Sequence, residues 1–169
     1  MKKTVIAFIV ILLSGVVFTS CEKNFFAEDF FPQRSFCVHM TAQKNEKQFE
    51  ADIICRTYED IEIAFTYPKE LSGFSVKTTS EGYSINVFGV PDEISEAEIK
   101  DNSLLNILIG TIKTAVFTNH GSFTESNGFF NAQLTVDSTP VDVTFSDNGF
   151  LYKMSAPSIG FSADFEYSG

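Results

Sequence analysis

Three observations predict an α+β fold that is mainly β: a curved antiparallel sheet with one apolar helix covering its concave face. Apolar and polar residues alternate with period two along most of the chain, the pattern of antiparallel strands with one buried face. A single stretch near the middle changes to spacings of three and four, which is helical. Turn residues separate the segments at short intervals, as hairpins require.

The elements follow in order. Two neighbouring strands are predicted over 35–42 and 48–57. In Asp60–Thr66, Ile61, Ile63 and Phe65 share one face, with Glu62 and Ala64 on the other. Phe74 and Val76 alternate with Ser75 and Lys77, then Tyr83, Ile85 and Val87 with Ser84 and Asn86. Tyr67-Pro68, Ser80-Glu81-Gly82 and Gly89-Val90-Pro91 supply the turns. From Ser103 to Thr118, Leu104, Leu105, Leu108, Ile112, Val116 and Phe117 recur at helical spacing, and Lys113 is the only charge. Such a helix is expected to be buried against the sheet. Asp101, Asn102 or Ser103 can cap its start, and Asn119-His120-Gly121 can stop it. Alternation then returns in Phe130–Val136, Val141–Phe145, Phe150–Met154 and Phe161–Tyr167. Asn148-Gly149 reads as a type I′ hairpin turn, and Pro157 with Gly160 marks the last bend.

The N-terminus carries an address. Lys2 and Lys3 precede an uncharged run, Val5–Phe18, and Thr19-Ser20 lead into Cys21. A largely apolar run of 14 residues is short for a membrane span, which needs about 20, and suits a secretory signal. A cysteine at the cut site resembles the lipobox of bacterial lipoproteins, with Phe18 where Leu, Val or Ala is usual. The resemblance implies removal of residues 1–20, acylation of Cys21, and anchoring to a membrane on its extracytoplasmic side. Residues 21–34 are then expected to be the tether and 35–169 a single domain, with the tether's Phe25-Phe26 and Phe30-Phe31 doublets, odd for a solvated linker, either docked on the domain or in the membrane interface. An ordinary signal peptide with an incidental cysteine is the alternative.

Without its first 20 residues the chain keeps ten basic residues against 22 acidic ones, a formal charge of −12. Such a polyanion repels nucleic acid and anionic headgroups. No calcium loop of the Asp-x-Asp-x-Asp-Gly kind occurs; Asp92-Glu93, Glu96 and Glu98 read as a solvated run. Phenylalanine stands out, with 19 Phe against five Tyr and no Trp. These rings either line a cavity or fill a thin core. With Cys21 acylated, Cys37 and Cys55 remain as a pair in an oxidising compartment. A turn centred on Glu46 places them directly opposite and permits a disulfide. A shift of one residue puts them on opposite faces and forbids it.

No group of residues makes a catalytic centre. His39 lies on an early strand and His120 after the helix, and neither has a serine elbow or metal-ligand spacing nearby. Asp60 and Glu62 share a strand face, as carboxylates do in any acidic domain. No glycine-rich phosphate loop is present. The chain is read as non-enzymatic, with no metal and no cofactor.

Several short motifs carry a family likeness. Tyr67-Pro68-Lys69-Glu70-Leu71-Ser72-Gly73 is similar to a Pro-x-x-Leu-x-Gly link between strands, and Gly82-Tyr83 to Val87-Phe88-Gly89 to a strand ending in aromatic-Gly. Phe145-Ser146-Asp147-Asn148-Gly149-Phe150-Leu151 is similar to an Asp-x-x-Gly-x-Leu hairpin. Across about residues 35–169 the chain thus resembles the Lol-type lipoprotein carriers and receptors and their lipid-binding relatives. The likeness implies a half-barrel and a cavity for acyl chains or another apolar ligand. Phe65, Phe74, Ile85, Leu104, Leu108 and Ile112 are the candidate cavity residues, with the helix as a lid that Gly110 could bend. A solid core with an acidic outer face that meets a partner protein or the cell wall is the alternative.

Overall fold

The computed structural model describes residues 24–26, 30, 32–95, 103–118 and 122–167. Cys21, His120 and the expected helix stop at 119–121 lie outside them. In chain order the strands are β1 (Asn24–Phe26), β2 (Phe36–Lys44), β3 (Lys47–Thr57), β4 (Asp60–Tyr67), β5 (Phe74–Thr78), β6 (Gly82–Val87) and β7 (Val90–Ser95). After the helix α1 (Leu104–Ile112) come β8 (Ser122–Ser126), β9 (Phe129–Val136), β10 (Thr139–Ser146), β11 (Leu151–Ala156) and β12 (Phe161–Glu166). All twelve join one antiparallel sheet in the order β1-β8-β9-β10-β11-β12-β2-β3-β4-β5-β6-β7. Among the described residues its two edges, β1 and β7, are not paired with one another, so the sheet stays open.

Alternation sets which face is inside. In β2 the buried residues are Phe36, Val38, Met40 and Ala42, and in β3 Phe49, Ala51, Ile53 and Cys55. Met40, Ile53, Ile63, Val143, Met154 and Ala163, on six different strands, are all 0–1% exposed. A nine-residue helix is about 14 Å long, whereas six strands alone span at least about 24 Å. The helix cannot cover that face by itself; the sheet must curl around it, each side burying the other.

The helix starts where the sequence allows, at Ser103, whose side chain accepts from the Asn106 N–H at 3.1 Å. It continues through a π-helical turn, Lys113–Phe117, so the expected segment 103–118 is one continuous element. Ile107, Leu108, Ile109, Thr111 and Ile112 are buried. Gly110 has a packing role: a Cβ there would lie 2.5 Å from Val136 Cγ1, so the helix approaches β9 more closely than alanine permits.

Four expectations are corrected. First, the β2–β3 turn is Asn45-Glu46, with Lys44 opposite Lys47, so Cys37 faces Ile54 and Cys55 faces Phe36. Cys37 points outward and Cys55 inward, and both thiols are free. A disulfide between them is excluded by that single step of register. Second, the 21–34 segment is more than a tether. β1 pairs with β8, and Phe30 is buried in the core, 4.2 Å from the Phe130 ring and 4.8 Å from that of Phe123. Third, the turn expected at Gly89-Val90-Pro91 lies at Phe88-Gly89: Val90–Ser95 is an edge strand on β6, where a proline is tolerated because one side needs no partner, and Asp92 and Glu93 on it are exposed. Fourth, Asn148-Gly149 is not a type I′ turn. Only Gly149 takes a positive φ, 80°, and its N–H donates to the Ser146 carbonyl at 3.0 Å, the three-residue hairpin with a glycine bulge.

Candidate functional site

The six predicted cavity residues divide into two groups. Leu108 and Ile112 are fully buried under the sheet and form solid core; Leu104, at the first turn of α1, is half-buried against that core. Phe65, Phe74 and Ile85 lie instead on β4, β5 and β6, away from the helix in sequence but on the same inner face. Phe65 and Phe74 are ring neighbours at 5.6 Å. Ile85 faces Val76, which in turn faces Ile63. Phe74 and Ile85 are half-buried, so this side of the inner face is less tightly sealed than the part under α1.

The aromatic series extends to a residue that the sequence does not single out. Phe49 on β3 lies 6.5 Å from Phe65 and stacks on Phe161 of β12 at 6.4 Å, with planes 7° apart. Its strand shows the same alternation as its neighbours, with Ala51, Ile53 and Cys55 on its face. Position alone cannot distinguish it, because one of its ring neighbours, Phe161, comes from a strand remote in sequence. Phe49 forms the apolar wall of a pocket of about 590 Å³ that opens beside the β2–β3 hairpin. Lys44, Asn45, Glu46 and Lys47 are its other described lining residues.

The rim of this pocket is unusual electrostatically. Lys44 and Lys47 stand directly opposite one another across the hairpin, a like-charge arrangement that costs stability. Neither has an ion-pair partner among the described residues, while the other strand lysines Lys77 and Lys153 are paired with Asp60 and Asp164 at 3.2 and 3.1 Å. In a chain of net charge −10, this rim sets two lysines and the Glu46 carboxylate, a net positive mouth, beside an apolar wall, an arrangement that can hold an anionic headgroup joined to a hydrocarbon tail. The Asn45 backbone beneath them is fixed from the far side, its N–H donating to the Gly160 carbonyl at 2.7 Å.

The titratable groups elsewhere show no catalytic geometry. His39 lies on the outer face, 2.8 Å from Asp52 Oδ1 and 3.8 Å from Glu50 Oε2. Asp60 and Glu62 bind Arg56 and Lys77. Burial pushes the Cys55 thiol up to about 12, with the Asp60 charge adding to the effect, so it is neutral and unreactive near neutral pH. Burial also raises the Tyr167 phenol, although its hydroxyl donates to the Leu151 carbonyl at 2.9 Å. Among the described residues no group of three His, Cys, Asp or Glu is placed to hold a metal ion, and no helix is long and apolar enough to cross a membrane.

The class defined by these features is a mainly β protein: an open antiparallel sheet curled around one helix, with a pocket of about 590 Å³ at its β2–β3 hairpin. No family model and no curated protein matches the chain. Among solved structures it is similar to the crystal structure of a LolA superfamily protein, NE2245 from Nitrosomonas europaea, with a TM-score of 0.47. The two share 16% sequence identity, and the match covers 85% of this chain and 88% of that one.

Proposed function

We propose that this protein is a lipid-anchored, extracytoplasmic binding protein for an acyl amphiphile, without catalytic activity. The observation that carries the reading is the pocket at the β2–β3 hairpin, where an apolar wall meets two lysines that have no ion-pair partner among the described residues. The tail lies against Phe49 and the neighbouring rings Phe65 and Phe74, and is driven there by the apolar area it removes from water. Lys44 and Lys47 hold the anionic headgroup at the mouth. Leu108 and Ile112 are packed core rather than lining. The lipobox ending in Cys21 supplies the anchor, and the excess acidic charge keeps the domain soluble beside the membrane.

The chain has no tryptophan, so Phe74→Trp introduces a single fluorescent reporter beside the pocket. A soluble form that starts at residue 22, and so keeps β1 and Phe30, is purified without detergent and examined by native mass spectrometry and organic extraction. A discrete adduct of lipid mass, together with quenching of the introduced indole by a brominated fatty acid, is the expected result. Loss of both on Lys44→Glu with Lys47→Glu is expected as well. A clean apo mass with no quenching at saturating fatty acid overturns the reading. Anchoring is tested separately by labelled palmitate, which should enter the membrane-bound chain and be lost on Cys21→Ala.

A further inference from the structure

The exposed apolar side chains of this protein are gathered rather than scattered. Of the seven large ones that stand out among the described residues, five belong to two connections of the sheet. Tyr67 and Leu71 lie at the β4–β5 link, and Val87, Phe88 and Val90 at the β6–β7 hairpin. The two connections are tied together. The Phe88 N–H donates to the Gly73 carbonyl at 3.0 Å, and its ring lies over Gly73, where a Cβ would sit 3.0 Å from Phe88 Cδ1. That ring is nevertheless 69% exposed, and Val90, directly paired with Val87, is 68% exposed. Phe88 holds a φ of 51°, a strained conformation for such a residue, and burial does not offset it. A cluster of this kind marks an interaction surface.

The strand beside the patch is closed to strand addition. The two-residue turn Phe88-Gly89 pairs Val87 with Val90, and hydrogen-bonded positions alternate along an antiparallel pair. The backbone groups of Val90, Asp92 and Ile94 therefore turn to β6, and those of Pro91, Glu93 and Ser95 turn outward. Among the described residues β7 has no partner on that outward side. Pro91 has no N–H to offer, and the Glu93 N–H is taken by Asp92 Oδ1 at 3.0 Å. An incoming strand needs donors and acceptors in alternation, whereas Pro91–Glu93 presents carbonyl acceptors and exposed carboxylates. Such an edge suits the side-chain donors of Lys and Arg.

The charged side chains on the link, the turn and β7 are Glu70, Asp92 and Glu93 against the single cation Lys69. All four are exposed, and none is in an ion pair with another described residue. This rim separates the occupants. A second copy related by a two-fold axis would set the same three acids against themselves, in chains that each carry −10. A segment that lies in a membrane interface flanks its apolar residues with Lys and Arg, the reverse of what is found here. A protein segment with basic residues beside apolar ones matches both the rim and the edge. We propose that the β6–β7 hairpin and the β4–β5 link dock a cationic amphipathic helix of a partner protein. Its apolar stripe lies on Val87, Phe88 and Val90, and its Lys and Arg residues meet Asp92, Glu93 and the outward carbonyls. The surface is small, as in transient complexes, and opposite charge speeds their encounter. The hairpin pocket and its lysines take no part.

The test uses the full chain in the cells that produce it, with Val90→p-benzoylphenylalanine as a photoreactive probe in the patch. The expected product is an adduct with another protein. Mass spectrometry of the joined peptide should show apolar residues at helical spacing flanked by Lys or Arg. The yield should fall at least about tenfold on Asp92→Lys with Glu93→Lys. It should fall likewise on Phe88→Asn, a change expected to stabilise the hairpin, so that unfolding does not account for the loss. Asp147→Lys with Glu166→Lys, the same charge change at exposed positions elsewhere, should leave it unchanged. Thermal melting of every variant checks that the sheet is intact. An adduct with a second copy or with lipid, a joined segment without basic residues, a yield indifferent to both patch variants, or no adduct at all overturns the proposal.

Discussion

Replacing Thr111 by valine should make this protein more stable. Thr111 lies in α1, is 0% exposed, and its hydroxyl has no hydrogen-bond partner among the described residues. Threonine within a helix usually returns its hydroxyl to a carbonyl one turn earlier; here that bond is not made. A buried hydroxyl without a partner costs about 1–3 kcal/mol relative to one left in water. Valine has nearly the same shape, the same β-branching and a similar helix propensity, so little is lost in exchange. The expected gain is about 1–2 kcal/mol, at the lower end because the replacement methyl must fit the volume of the oxygen. For a domain of this size that corresponds to about 3–6 °C in Tm. Urea titration followed by far-ultraviolet circular dichroism measures it, with an unchanged m-value showing that the same surface unfolds. Destabilisation of about 1 kcal/mol or more would refute the reasoning, since it would mean that the hydroxyl is satisfied and that its loss strands a second group. Serine at the same position should fall below wild type, because it keeps the hydroxyl and opens a methyl-sized void.

Other substitutions examine the helix contact, the tip of the β6–β7 hairpin and the two thiols. Gly110→Ala gains about 1 kcal/mol of helix propensity, but its Cβ would sit 2.5 Å from Val136 Cγ1; a net loss of about 1–2 kcal/mol is expected, largely restored by adding Val136→Ala. Phe88 has φ 51° and is 69% exposed, in a turn position that favours asparagine; Phe88→Asn should raise stability by about 1 kcal/mol, and a loss would show that its ring's contact over Gly73 matters more. Of Cys37 and Cys55, only Cys37 should react with a maleimide in the folded protein, both reacting in urea; equal protection of the two would contradict the register. Stability should fall as pH rises above about 9. The unfolded chain then loses the Cys55 proton while the folded one keeps it up to about 12. The slope approaches about 1.4 kcal/mol per pH unit for that thiol, with the Tyr167 phenol adding to it at higher pH. Cys55→Ala should flatten the first part of that slope in a series of urea titrations at increasing pH.

The strands legible in the sequence are those buried on one face. Ile61, Ile63 and Phe65 alternate because one side meets the core and the other water, and each such strand lies within one to three residues of its expected bounds. Periodicity does not reveal the two edge strands, nor the short β8 that lies between β1 and β9. β1 has three residues and β7 contains Pro91 and two acids, and neither position demands a continuous apolar face. The helix is legible both as an element and as buried. The role of its glycine is not, since a close approach to Val136 depends on where β9 passes. The same holds for the turns: Asn127-Gly128 and Phe88-Gly89 both take positive φ at both residues, whereas Asn148-Gly149 does not, because the β10–β11 link contains one residue more.

By itself the sequence determined the class: antiparallel strands and one buried helix. These follow from local periodicity and composition, which act over a few residues. Tertiary structure decided what shares a space. One step of register separated Cys37 from Cys55, since adjacent positions on a strand face opposite sides. Curling of the sheet turned Leu108 and Ile112 into solid core, and pairing of β2 with both β3 and β12 brought Phe49 to Phe161. Contact of Phe88 with Gly73 joined two connections into one exposed apolar patch. Apart from those joined by a hairpin, these neighbours are remote in sequence, and burial is a property of the folded surface rather than of any segment of the chain.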